Sequence, residues 1–162
     1  MLLLGLGSNL SSSFGNRFEN IDLAISYLQS YKIQLLKKSS YYETLSYPDI
    51  KNPKFINVVI EVLTDLAPED LASVLIFIEE KLERKRNQKN EPRTCDIDII
   101  DYNGRVMDFS YKSLIFKVPH EKLIYRNFVL YPLQEISPNW VHPITKEKIS
   151  NLIAKLPEED RK

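Results

Sequence analysis

Apolar and polar positions alternate along "FINVVIEVLT" (residues 55–64). Ile56, Val58, Ile60 and Val62 make one continuous apolar face, while Asn57 and Glu61 point the other way beside Phe55. The same period runs through "TCDIDI" (94–99), where Cys95, Ile97 and Ile99 alternate with Thr94, Asp96 and Asp98. "LLLGLG" (2–7) reads as a short buried strand and "KIQLLKKSSYYET" (32–44) as another. Between the strands the period changes. From Asn16 to Tyr31, the residues Phe18, Ile21, Ile25 and Leu28 recur at helical spacing, which predicts an amphipathic helix. Pro68 suits the first turn of a second helix, with Glu69 and Asp70 where acids complement the dipole. Leu71, Leu75, Ile78 and Leu82 give that helix a core stripe. "LSYPDIKNPK" (45–54) and "ERKRNQKNEP" (83–92) read as loops. Asn103-Gly104 predicts a hairpin turn back into "RVMDF", and the C-terminal region reads as turns and short helices.

The order β-α-β-β-α-β, with an added hairpin strand and a C-terminal extension, suits an α+β ferredoxin-like sandwich. In that fold a mainly antiparallel sheet carries both helices on one face. Residues 1–162 fit a single domain. The Ile97/Ile99 side and the Val58/Ile60 side should both meet the helices. Phe55, Asn57, Asp96 and Asp98 then share the opposite face, which this reading leaves free.

Composition narrows the function classes. Lys+Arg and Asp+Glu balance at 22 each, so a globally basic nucleic-acid binder gets no support. Cys95 is the single cysteine, which excludes an internal disulfide and agrees with a reducing compartment. "MLLLGLG" is short for a signal peptide and has no basic segment before it, and no apolar run approaches a membrane span. The expectation is a soluble cytoplasmic protein with no nucleic acid and no membrane as partner, although local basic clusters could still matter.

Strands avoid aspartate, yet Asp96 and Asp98 stand on one face with Cα atoms about 6.5–7 Å apart. Such carboxylates can converge on one cation or on two ions roughly 3.5–4 Å apart. Oxygen-only ligands favour Mg²⁺, which takes one or two protein carboxylates plus substrate phosphates. A bare D-x-D pair is more often a solvated face balanced by lysines. The preceding cationic run (Lys81, Arg84, Lys85, Arg86, Lys89, Arg93) changes that reading, because polyphosphate transfer needs guanidinium donors beside the metal. No G-x-x-x-x-G-K-[ST] loop is present, and "GLGSNL" (5–10) has Leu10 where a dinucleotide fingerprint needs its third glycine. Gly5 and Gly7 therefore read as a strand end and tight turn. Downstream, "VPHEKLIYRNFVLYPLQEI" (118–136) offers His120 and Arg126; a histidine after proline is more often structural, and His142 beside Trp140 reads as structural too. Tyr41, Tyr42, Tyr47 and Phe128 are core residues by default, although a flat ligand on the open face would need some of them.

Taken together, "GLGSNL", "FINVVIEV", "PRTCDIDIIDYNG" and "VPHEKLIYRNFVLYPLQEI" resemble the 6-hydroxymethyl-7,8-dihydropterin pyrophosphokinase family of folate biosynthesis, in order from Leu4 to about Ile136. The resemblance implies transfer of pyrophosphate from ATP to the pterin's hydroxymethyl oxygen, with release of AMP. It also implies the ferredoxin-like fold with mobile loops. Carried over by position, Asp96 and Asp98 would bridge two Mg²⁺ ions on the phosphates of ATP, the co-substrate, and Asp96 would lie near the pterin hydroxyl. Arg84, Arg86 and Arg93 would bind the transferring phosphates, His120 and Arg126 the nucleotide, and Ile99 would lie by the adenine. Thr44, Leu45, Phe55, Asn57 and Phe128 would line the pterin pocket. The chain departs from the family pattern at Asn90, where a tryptophan is common, at Leu45, where proline commonly follows the threonine, and at Glu121 after the histidine. A ferredoxin-like binding module for RNA or a regulatory ligand is the alternative class, but no aromatic RNA-binding strand is present. Loop 83–92 has hardly an apolar side chain, so it should be mobile without ligand.

Overall fold

The computed structural model describes residues 1–46, 50–86 and 91–161. Tyr47, Lys89 and Asn90, singled out from the sequence, fall outside the described residues. Strands β1 (Leu2–Ser8), β2 (Gln34–Lys38), β3 (Tyr42–Thr44), β4 (Phe55–Leu63) and β5 (Asp96–Tyr102) form an antiparallel five-stranded sheet in the order β2-β4-β1-β5, with β3 also on β4. Helices α1 (Arg17–Ser30) and α2 (Pro68–Lys81) pack on one face, as the ferredoxin-like order requires. Asn16 caps α1 in a reciprocal capping box with Glu19. Leu4, Leu6, Val58, Ile60, Ile97 and Ile99 meet Ile21, Leu28, Leu71, Leu75 and Ile78 in the core between sheet and helices. Phe18, counted in the apolar stripe of α1, is instead exposed and packs edge-on against Tyr41, itself exposed.

Three expectations are corrected. The strand read over 32–44 is two strands, because Ser39 breaks the ladder: Val59 N–H donates to its Oγ at 3.0 Å and Ser39 N–H donates to Val59 O at 3.0 Å. The Asn103-Gly104 turn forms, with φ of 54° and 75°, but the chain after it does not pair with β5. Strand β6 (Met107–Tyr111) pairs instead with β7 (Leu114–Val118) across a second turn at Lys112 and Ser113, as a separate hairpin. The far sheet face is not wholly free. Leu3, Val59 and Ile100 pack there against Leu123, against Leu130 and Leu133 of α3 (Asn127–Ile136), and against Trp140 and α4 (Ile149–Ala154), making a second core. Ile100 faces this core by the same alternation that points Asp96 and Asp98 away from the helices. A register shift at Leu3/Leu4 turns Asp101 to that side as well, where Trp140 Nε1–H donates to Asp101 at 2.9 Å. The Phe55, Asn57, Asp96 and Asp98 end stays open, and the second core seats α3 beside it.

Candidate active site

The site is built at the centre of the sheet. Gly7 opposes Asn57 on one side and Asp96 on the other, and Gly5 opposes Val59 and Asp98. Both glycines lie within β1 and not at a tight turn, which corrects the sequence reading. They form part of the wall of a cavity of about 420 Å³. A Cβ on Gly7 would lie 2.9 Å from Asn57 Oδ1 and 3.5 Å from the Phe55 ring, so the missing side chain is what lets Asn57 lie across the strand. Asn57 is 6% exposed and donates from Nδ2 to Thr44 Oγ1 at 2.9 Å. Among the described residues its carbonyl oxygen and second N–H have no hydrogen-bond partner. Leu45, Phe55 and Phe128 line the same cavity, with the Arg93 guanidinium 5.4 Å from the Phe55 ring centre and Arg126 5.5 Å from that of Phe128.

The two aspartates differ electrostatically. Arg84 Nη1 lies 3.0 Å from Asp96 Oδ1 and Arg93 Nη1 lies 3.2 Å from Oδ2. Burial works against the Asp96 charge, but these two guanidinium groups outweigh it and hold the carboxyl below its ordinary value. Among the described residues Asp98 has only looser partners, His120 Nε2 and Arg126 Nη1, each 4.0 Å from Oδ2. Burial and then the Asp96 charge push Asp98 up to about 8, with Arg126 opposing. Burial and the Arg126 charge push His120 down to about 4, so it is neutral at physiological pH. Its Nδ1 accepts the Lys122 N–H at 3.2 Å, which places the ring proton on Nε2, facing Asp98.

A second cavity of about 390 Å³ lies between β5 and the β6–β7 hairpin, lined by Arg84, Arg86, Ile99, Glu121 and residues 114–118. Asp96, Asp98 and His120 line both cavities. Thus an aromatic pocket and an arginine-lined pocket meet at one pair of carboxylates. Among the residues singled out from the sequence, Leu45, Phe55, Asn57, Arg93, Asp96, Asp98, His120, Arg126 and Phe128 line the first cavity, and Arg84, Arg86 and Ile99 line the second. Thr44 lines neither and reaches the site through Asn57.

Glu79 was missed. It is 2% exposed, accepts the Ile97 N–H at 2.7 Å, lies 3.1 Å from Arg84 Nη1 and pairs with Arg86. Burial, then Asp96, push its carboxyl up to about 7, with Arg84 and Arg86 opposing. The signal was present: residue 79 is four positions after Leu75 and three before Leu82, on the buried stripe of α2. At the described start of loop 83–92, Arg84 and Arg86 pair with carboxylates and Glu83 accepts from Ser13 N–H at 2.7 Å. Tyr125 and Asp160, also in the wall of the first cavity, carried no pattern in the sequence.

Comparison with known proteins brings out one family. The family model described as 7,8-dihydro-6-hydroxymethylpterin-pyrophosphokinase matches residues 3–138. A 2-amino-4-hydroxy-6-hydroxymethyldihydropteridine pyrophosphokinase from Aquifex aeolicus is 36% identical over 146 residues, covering 90% of this chain and 86% of that protein. The folic acid synthesis protein fol1 of Pneumocystis carinii is 37% identical over 159 residues, but these span 98% of this chain and only 20% of that longer protein. Among solved structures, the wild-type HPPK-DHPS of Plasmodium falciparum superposes with a TM-score of 0.77 at 16% identity, covering 95% of this chain and 40% of that one.

Proposed function

The chain belongs to the 7,8-dihydro-6-hydroxymethylpterin-pyrophosphokinase family, and on that premise we propose that it transfers the β,γ-pyrophosphoryl group of ATP to the hydroxymethyl oxygen of a reduced pterin, releasing AMP. The observation that carries this reading is the meeting of two cavities at Asp96, Asp98 and His120. One cavity offers rings and a carboxamide suited to a flat heterocycle with hydrogen-bonding edges. Guanidinium groups suited to phosphate stand on both sides of that junction, Arg93 and Arg126 in the first cavity and Arg84 and Arg86 in the second.

Asp96 and Asp98 would hold Mg²⁺, as two ions shared with the phosphates. Among the described residues no group of three or more His, Cys, Asp or Glu side chains is placed to hold a metal ion by itself. Two carboxylates nevertheless fit a cation that completes its shell with phosphate oxygens and water. The loose contacts of Asp98 support that fit, since its Oδ2 lies 4.0 Å from both His120 and Arg126 and is not closed off by either. Bound Mg²⁺ supplies charge neutralisation for the phosphate oxygens.

The chain's own groups do the rest. Arg84 and Arg93, which hold Asp96 in this structure, would turn toward the transferring phosphates, where bidentate donors position the group and stabilise its charge. Neutral His120 would donate from Nε2 to a phosphate oxygen, and Arg126 would contact the nucleotide. Arg86 would reach the phosphates from the second cavity, where Ile99 would border the adenine. Phe55 and Phe128 would hold the pterin ring, Asn57 backed by Thr44 would read its edge, and Leu45 would close its side. The test is product analysis with ATP, Mg²⁺ and 6-hydroxymethyl-7,8-dihydropterin. AMP should appear as the pterin is consumed; ADP would mean attack at the terminal phosphorus and overturn the reading.

A further inference from the structure

Asn9, just past the end of β1, lines neither cavity, yet it is 2% exposed and every polar atom of its carboxamide is used. Its Oδ1 accepts the Arg93 N–H at 2.8 Å, and its own N–H donates to Arg93 O at 3.1 Å. Asn9 and Arg93 thus exchange a pair of bonds as two strand residues do. The amide nitrogen faces the other way. Nδ2 donates to Ser46 Oγ and to Pro53 O, both at 3.1 Å, and Ser46 Oγ also donates to Pro53 O. Ser46 is itself buried. One side chain therefore ties three chain segments together.

What those segments carry gives the knot its meaning. Ser46 directly follows Leu45, and Pro53 stands two residues before Phe55; both neighbours line the aromatic cavity. Arg93 lies 3.2 Å from Asp96 with its guanidinium over the Phe55 ring. The pocket for the flat ligand and the guanidinium for the phosphates are attached to the same carboxamide. Both of its N–H bonds go to one side and its oxygen to the other, so neither side can shift without breaking a buried hydrogen bond.

We propose that Asn9 is a positioning residue that couples the two substrate sites, so that ordering the walls around the pterin also sets Arg93 on the phosphates. The inference rests on the function proposed above. Coupling of this kind is reciprocal: each ligand tightens binding of the other by the same factor. A residue that merely stabilised the fold would lower the melting temperature without changing that factor.

The experiment is calorimetric titration of the intact protein with a non-hydrolysable ATP analogue and Mg²⁺, with and without 6-hydroxymethyl-7,8-dihydropterin. Wild type should show about tenfold or greater synergy, within the usual range for coupled sites. Asn9→Asp keeps the acceptor for Arg93 N–H and loses both donations to Ser46 and Pro53. Its synergy should fall to within about twofold of none, while affinity for the analogue alone changes less than about threefold, a shift of well under 1.4 kcal/mol. Ser46→Ala leaves Asn9 intact, removes one of the two acceptors and should give an intermediate factor. If Asn9→Asp does not fold, Ser46→Ala decides. Folded variants with wild-type synergy, or a wild type with none, would overturn the coupling role while leaving the proposed reaction standing. Failure of wild type to bind either ligand would overturn both.

Discussion

Replacing Glu79 by Gln tests the electrostatics of the site apart from its ligands. The substitution keeps the shape and leaves an oxygen to accept the Ile97 N–H, but removes the charge shared by Arg84 and Arg86. In the folded protein, burial lifts the Glu79 carboxyl from 4.5 to about 7. The unfolded chain releases that proton near 4.5. Between these values the folded state binds more protons than the unfolded state, so this group's contribution to stability is full below 4.5 and is lost as pH rises toward 7. Integrated from about pH 5 to about pH 7.5, the loss is roughly 2 kcal/mol. Glutamine has no such dependence. The stability difference between variant and wild type should therefore move in the variant's favour by roughly 2 kcal/mol over that interval, on the order of 1 M in urea midpoint. Urea titrations of both proteins at the two pH values measure it. Ionisable groups remote from residue 79 cancel in the difference, and Asp98, whose rise owes part to the Glu79 charge, moves it in the same direction. A difference that stays flat with pH, or runs the opposite way, would refute the assignment of Glu79 as a buried carboxylate that its arginines only partly compensate.

Asp98→Asn should lower pyrophosphoryl transfer by about three orders of magnitude with little change in melting temperature, because the amide keeps the size and removes the charge; near-normal turnover at saturating Mg²⁺ would sink the metal assignment. Gly7→Ala should push Asn57 Oδ1 off the strand, because the new Cβ would stand 2.9 Å from it. Since the displaced atom ends a side chain, the fold should survive while pterin affinity falls about tenfold or more and affinity for the ATP analogue holds. Asn57→Ala should reproduce that pattern, and calorimetry showing selective loss of the nucleotide in either variant would move the pterin site elsewhere.

The alternation in 55–64 and 94–99 was enough to place Phe55, Asn57, Asp96 and Asp98 together, because a two-residue period assigns a face wherever the partner strands are known. The helix starts were equally legible, since Asn16 and Pro68 act through their own local geometry. What escaped was set by tertiary context. The glycines of β1 looked like turn residues because nothing local distinguishes a glycine that clears a ligand cavity from one that bends the chain. The hairpin went to the wrong partner because Asn103-Gly104 specifies a reversal but not the strand that follows it. Glu79 was readable in principle, as an acid on an apolar stripe. Asn9 was not: its three connections lie 37, 44 and 84 residues away in sequence. The C-terminal helices were expected as small pieces, but their packing on the far face depends on long-range contacts with Leu3, Val59 and Ile100 and on the shift that brings Asp101 to Trp140.

The position of β5 has a consequence for how the molecule behaves in a crowd. It is the end strand of its sheet, and an end strand is an invitation for another chain to add on. Here the Ile97 N–H is already taken by Glu79, and the Ile100 carbonyl accepts the His120 N–H at 3.3 Å. Asp96 and Asp98 project from the same strand beside Arg84, Arg93 and Arg126, so a second copy docking along it would have to desolvate a crowded set of polar groups. The acids proposed to hold Mg²⁺ also discourage sheet extension from this margin. Their replacement therefore removes a barrier to aggregation as well as chemistry.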